Sequence, residues 1–182
     1  MRRKKLLDED TLKARRLHDL LKPDGDDYKI MKKYWFFHPE RSVTGSAMVF
    51  GFDCGRGWYP LIDKFCQELK ELLESKYPSY KTGKPSFEIT QIKEKYGSLR
   101  IYTNFTNDDI EALIEKYEDL SLKTCEECGR KGSPRNIKGL IYTLCNKCFQ
   151  KLKEAYIETK FEAFKIDTSS VEEETNTEKN HL

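Results

Sequence analysis

The strongest apolar–polar pattern lies in "GWYPLIDKFCQELKELLESKYP", residues 57–78. Leu61, Ile62, Phe65, Leu69, Leu72 and Leu73 recur at helical steps, with Asp63, Lys64, Lys70 and Glu71 off the stripe. That spacing predicts an amphipathic helix. Pro60 suits its first turn, where a missing N–H costs nothing. A second helix is predicted over "TNDDIEALIEKYEDL", with Thr106 and Asp109 as a capping box and Ile110, Leu113, Ile114 and Tyr117 facing inward. Between the two, "SFEITQIKEKYGSLRIYTNF" changes to a period of two. Phe87, Ile89 and Gln91 alternate on one predicted strand, and Leu99, Ile101 and Thr103 on the next. This turns Arg100 and Tyr102 to the opposite face. Gly97 marks the turn or a bulge.

The remaining segments are less regular. "SAMVFGFDCG" predicts a short apolar strand, and "YKTGKP" a loop. Leucines at roughly helical spacing predict a charged helix over residues 1–22. "YKIMKKYWFFHPERS" has no clean period and reads as a connector with room for one short helix. "FQKLKEAYIETKFEAF" predicts a third helix, and the acidic end has almost nothing to bury. The expected organisation is an extension and connector over 1–47, a core over 48–166 with a metal module at 121–166, and a disordered tail over 167–182. The expected fold is α+β: a small antiparallel sheet, packed helices and a C-terminal four-cysteine zinc treble clef.

Composition sharpens this picture in two places. Charged residues make up 35% of the 182-residue chain, and aromatics 12%. The first figure fits solvated flanks, and the second allows an ordinary core. The net charge of +2 is uneven: residues 121–155 hold eight basic and three acidic side chains, the most basic part of the chain. No apolar run reaches the ~18 residues of a membrane span. The basic start has no apolar stretch behind it, so no secretory signal is expected. Both points lead to an expectation of a reducing cytoplasm and no membrane partner, where paired cysteines serve metals rather than disulfides.

Cys125, Cys128, Cys145 and Cys148 form C-x2-C-x16-C-x2-C. Each two-residue gap lets one knuckle aim two thiolates at one ion, and two knuckles complete a tetrahedron. The sixteen residues between the pairs are long enough for a hairpin, and the second pair opens a helix. One structural Zn²⁺ is expected, with an iron–sulfur cluster as the rival. Four protein ligands leave no open position for catalysis. His18, His38 and His181 lie far from the motif in sequence.

Three stretches carry a resemblance: "FGFDCGRGWYPLIDKF", "QIKEKYGSLRIYTNF" and "TCEECGRKGSPRN" with "TLCNKC". Together they resemble a group of small, mostly uncharacterised proteins encoded by phages and prophages. In that group G-x-G-W starts a helix, K-x-K-[YF]-G-x-L-R-[FY] forms a strand and C-x2-C-G closes the domain. The match covers about residues 48–150. It implies a phage or mobile-element accessory protein, for instance in counter-defence or host takeover, and brings no established activity.

Candidate binding residues follow. Lys93, Lys95, Arg100, Tyr96 and Tyr102 put basic and aromatic groups on one predicted hairpin, fit either for phosphates and bases or for a plain solvated face. Arg56 lies in a glycine turn before a helix, an anion site or simply a tight turn with Trp58 packed as a staple. Arg130, Lys131, Arg135 and Lys138 lie on the metal hairpin, fit for nucleic acid or for screening an anionic metal centre. An anionic partner, either nucleic acid or a nucleotide-like ligand, would use Arg56, Lys95, Arg100, Arg130 and Arg135, with Trp58 and Tyr102 as stacking groups. The alternative is a protein partner anchored by Trp35 in "YWFFH". No nucleophile stands beside a base, so no enzymatic activity is expected. Cys66 reads as core, and Cys54 as a thiol without a base.

Overall fold

The computed structural model describes residues 25–38 and 46–155. The expected helix over 1–22, the end of the connector, the continuation of the last helix and the acidic tail lie outside the described residues. Packing separates the chain into a unit ending at Cys145 and a second beginning at Asn146.

Within the first unit a short helix, α1 (Asp26–Met31), precedes the long α2 (Tyr59–Lys76) and the single-turn α3 (Ser79–Thr82). The hairpin β1 (Ile89–Lys95) and β2 (Ser98–Thr103) leads into α4 (Asp108–Ser121). A second hairpin, β3 (Ser133–Ile137) and β4 (Leu140–Leu144), ends the unit. The described part of the second unit is a helix over residues 146–155, α5. The architecture is α+β with two two-stranded antiparallel sheets.

The α2 stripe buries Ile62, Phe65, Cys66, Leu69 and Leu73, as its spacing predicts. α4 contributes Ile110 and Tyr117, and the first hairpin contributes Ile89, Ile92, Leu99 and Ile101. Burying each large apolar side chain contributes about 1.5–3 kcal/mol. Phe65 meets Tyr117 edge-on at 5.5 Å. The Tyr117 hydroxyl leaves the core to donate to Glu68 at 2.8 Å, which ties α4 to α2.

Several local expectations change. The core starts earlier than residue 48, because Ile30, Met31, Phe36 and Phe37 belong to the same buried cluster. The run at 47–50 is a 3₁₀ turn rather than a strand. Met48 and Val49 are consecutive and both fully buried, which an alternating strand does not allow. Residues 80–82 of the expected loop belong to a helical turn, Ser79–Thr82. On β1 an irregularity between Ile89 and Gln91 resets the alternation and sends Ile92 inward. Asn107, not Thr106, caps α4, with its Oδ1 accepting from the Ile110 N–H at 3.0 Å.

Candidate metal centre and the hairpin face beside it

The sulfurs of Cys125, Cys128, Cys145 and Cys148 all lie within 4.8 Å of one another. Cys128 and Cys145 are 3.7 Å apart. A tetrahedral ion with metal–sulfur bonds of about 2.3 Å sets sulfurs about 3.8 Å apart, so the cluster has the dimensions of one four-coordinate ion. The knuckle is closed by the Gly129 N–H, which donates to the Cys125 carbonyl at 2.8 Å, and Gly129 has the positive φ of 73° that this turn requires. The order of knuckle, β3–β4 hairpin and helix is that of a treble clef, and its donor set fits zinc. Cys125 is buried and Cys128 exposed. Burial pushes the Cys125 thiol above its ordinary value, so binding a metal there means displacing a proton.

Arg130 donates Nε–H to Cys128 Sγ at 3.3 Å and Nη2–H to Cys145 Sγ at 3.6 Å. Its guanidinium thus lies against two of the four sulfurs, where it would counter thiolate charge.

Two other motifs hold this module from below. The Gly57 N–H donates to the Glu126 carbonyl at 2.6 Å, and Trp58 Nε1 donates to the Thr124 carbonyl at 2.7 Å. A Cβ on Gly57 would overlap the carbonyl oxygens of Cys125 and Glu126 and the amide of Gly129. The Gly55 N–H donates to a Glu126 carboxylate oxygen at 2.9 Å. The glycine turn thus does hold an anion, but the anion is the chain's own Glu126, whose carboxyl burial pushes upward against that hydrogen bond. From the other side, Thr143 Oγ1 donates to the Gly97 carbonyl at 2.6 Å, and the Thr143 carbonyl accepts from the Glu126 N–H at 2.9 Å.

The remaining predicted residues separate clearly. Trp58 is fully buried, so it is a staple and not a stacking surface. Arg56 is exposed and sits 3.8 Å from Asp26. Trp35 is half-buried, edge-on to the buried Phe36, with Lys81 Nζ 5.8 Å from its ring. The "YWFFH" stretch is therefore largely core, and not an exposed anchor. Arg135 is half-buried on β3, opposite Tyr142.

The first hairpin does gather its candidates. Register places Lys93 opposite Arg100 and Gln91 opposite Tyr102, and cross-strand partners share a face. Lys93 Nζ lies 5.6 Å over the Tyr102 ring, and Lys95 Nζ 5.8 Å from that of Tyr96. Tyr96, 74% exposed, sits at the tip. Arg100 is anchored: one Nη donates to Glu118 at 2.7 Å and to Ser98 Oγ at 2.8 Å. Beyond it, a cleft of about 410 Å³ between β2 and α4 is lined by Tyr102, Ile114, Glu111, Glu115 and Glu118. That edge is acidic, so an anion is favoured only on the Lys93–Lys95 side.

Sequence reasoning missed Glu126 and Thr143. The only available signal was the acidic pair inside "CEEC", which resembles ordinary surface charge. Comparison of the chain with family models, curated proteins and solved structures finds no match. Among the described residues no helix is long and apolar enough to cross a membrane.

Proposed function

We propose that the protein is a non-enzymatic, zinc-stabilised module that binds nucleic acid across the outward face of β1–β2. The observation that carries this reading is the register that sets Lys93 beside Arg100 and Tyr102 on one face, with Lys95 and the exposed Tyr96 at its tip. Lysines there would track phosphates while Tyr102 and Tyr96 offer rings to bases, the pairing used for single strands. Zinc is favoured over an iron–sulfur cluster because four sulfurs within 4.8 Å of one another leave room for one ion, and not for a cage of several. Four protein ligands fill the ion's coordination shell, so its role is structural.

A second reading, a protein partner, is supported by the exposed Leu140 and Ile141 on β4. The motif resemblance supports a phage or mobile-element role in the host cytoplasm under either reading. With a protein partner, counter-defence or host takeover follows.

The test is a fluorescence-anisotropy titration of a labelled single-stranded oligonucleotide at two salt concentrations. Replacing Lys93 and Lys95 by Ala together should weaken binding and flatten the salt dependence by about one to two units of slope. Tyr102→Ala should weaken it by about 1–3 kcal/mol at both salts. Equal binding by all variants, or none by the parent, removes the nucleic-acid reading.

A further inference from the structure

We propose that the Cys128–Cys145 edge of the metal centre is an oxidation site and that Arg130 is the residue that guards it. The inference rests on the zinc reading above, and its experiment separates the two.

The four ligands are unequal. Cys125 is buried beneath the knuckle, whereas Cys128 is exposed and Cys145 half-exposed. A small oxidant arriving from solvent therefore meets Cys128 first. Cys145 Sγ waits 3.7 Å away, and closing that gap to the ~2.05 Å of a disulfide requires only a short movement. The two thiols outside the cluster compete poorly. Burial pushes both Cys54 and Cys66 well above the ordinary thiol range, which keeps them protonated and slow.

With hydrogen peroxide as oxidant the step balances. The Cys128 thiolate attacks the O–O bond, forms a sulfenic acid and releases hydroxide. The Cys145 thiolate then attacks that sulfur, forms the S–S bond and expels a second hydroxide. Two thiolates lose two electrons, the peroxide takes both, and the zinc leaves because half its ligands are gone.

Arg130 stands at this edge. Its two N–H groups reach both sulfurs, and sulfur lone pairs engaged by a guanidinium are less available to attack peroxide. The side chain therefore slows the first step without being a zinc ligand. Lys in its place would keep the charge but not the two-point bridge.

The experiment uses the full zinc-loaded chain. Zinc content is measured first. Hydrogen peroxide is then added, zinc release is followed with a colorimetric chelator, and alkylation with peptide mass spectrometry identifies the first disulfide. The expected result is release in step with a Cys128–Cys145 disulfide. Arg130→Ala should accelerate release about fivefold, with Arg130→Lys in between. A first disulfide containing Cys125 or Cys148, or an Arg130→Ala rate equal to the parent's, overturns the proposal while leaving the metal assignment standing. A purified chain with no zinc overturns both. Far-ultraviolet circular dichroism of Arg130→Ala before oxidation checks that the variant is folded.

Discussion

The two hairpins are built alike and held differently. Both are antiparallel pairs closed by two residues of positive φ, Tyr96–Gly97 in one and Lys138–Gly139 in the other. The first stands on apolar packing: Ile89, Ile92, Leu99 and Ile101 are all buried. The second buries only Ile137, Thr143 and Leu144 along its two strands. An isolated two-stranded hairpin is marginal in water. The first escapes that limit through α2 and α4. The second has no such core: Thr143 ties it to the Gly97 carbonyl, and the knuckle beside it, held by Gly57, carries sulfurs close enough to share a metal ion. One supersecondary unit thus stands on a core, and the other lies beside four cysteines placed to hold a metal ion.

The largest break in this comparison comes from the metal. Cys125→Ser, or removal of zinc by a strong chelator, withdraws binding energy on the order of 10 kcal/mol from the second hairpin alone. In hydrogen exchange, amides of β3 and β4 should lose protection while those of α2 and β1 keep theirs. Uniform loss across both hairpins would mean that the two are one cooperative unit, and the contrast between them would fail.

A smaller break comes from Gly57→Ala, one methyl group aimed at the knuckle. Overpacking against backbone costs about 1–3 kcal/mol or more, because carbonyls and amides cannot rotate away as side chains can. The loss should appear as weaker zinc affinity in a competition titration as well as a lower melting temperature. Ile92→Ala is the counterpart for the first hairpin. It should cost about 2–5 kcal/mol in a urea melt and leave zinc affinity close to that of the parent. If the two variants change zinc affinity equally, the hairpins are not separately supported.

The contrast also explains what is legible in the sequence. The cysteine spacing and the α2 stripe follow fixed local geometries, so the metal module and the longest helix can be read directly. The docking between them cannot. Gly57 on the knuckle and Thr143 on the Gly97 carbonyl join residues 46 or more positions apart, and neither pair leaves a periodic trace. The phase of β1 is hidden because an extra residue in a strand reverses the alternation from which burial is inferred. The aromatics of "YWFFH" have no period, so they give no sign of which way they face. A buried irregular segment and an exposed one look the same until the core that covers it is known.

The smallest effect concerns the edge of the first hairpin, where function and stability meet. α4 seals β2: Ser121 Oγ accepts from the Leu99 N–H at 2.9 Å, and the Glu118 carboxylate accepts from Arg100 and from the Ile101 N–H. Burial pushes the Glu118 carboxyl upward, outweighing the opposing pull of Arg100 and that N–H. Ionisation is therefore less favourable in the folded state than in the unfolded chain. Below the ordinary carboxyl range both states are protonated, and Glu118→Gln should be nearly neutral there. As pH rises from the ordinary value through the raised folded one, the parent loses stability that the Gln variant keeps. The variant should therefore be more stable at pH 7, by about 0.5 kcal/mol for so solvent-screened a group. Urea melts at pH 4 and pH 7 measure the difference. If the variant is instead less stable at pH 7, the Arg100 pair outweighs burial and the sign is reversed. The same substitution probes the binding face. With Glu118 neutral, Arg100 faces one charge fewer, and the salt dependence of oligonucleotide binding should steepen by at most about one unit. An unchanged slope would show Arg100 to be an anchor of the hairpin and leave the phosphates to Lys93 and Lys95.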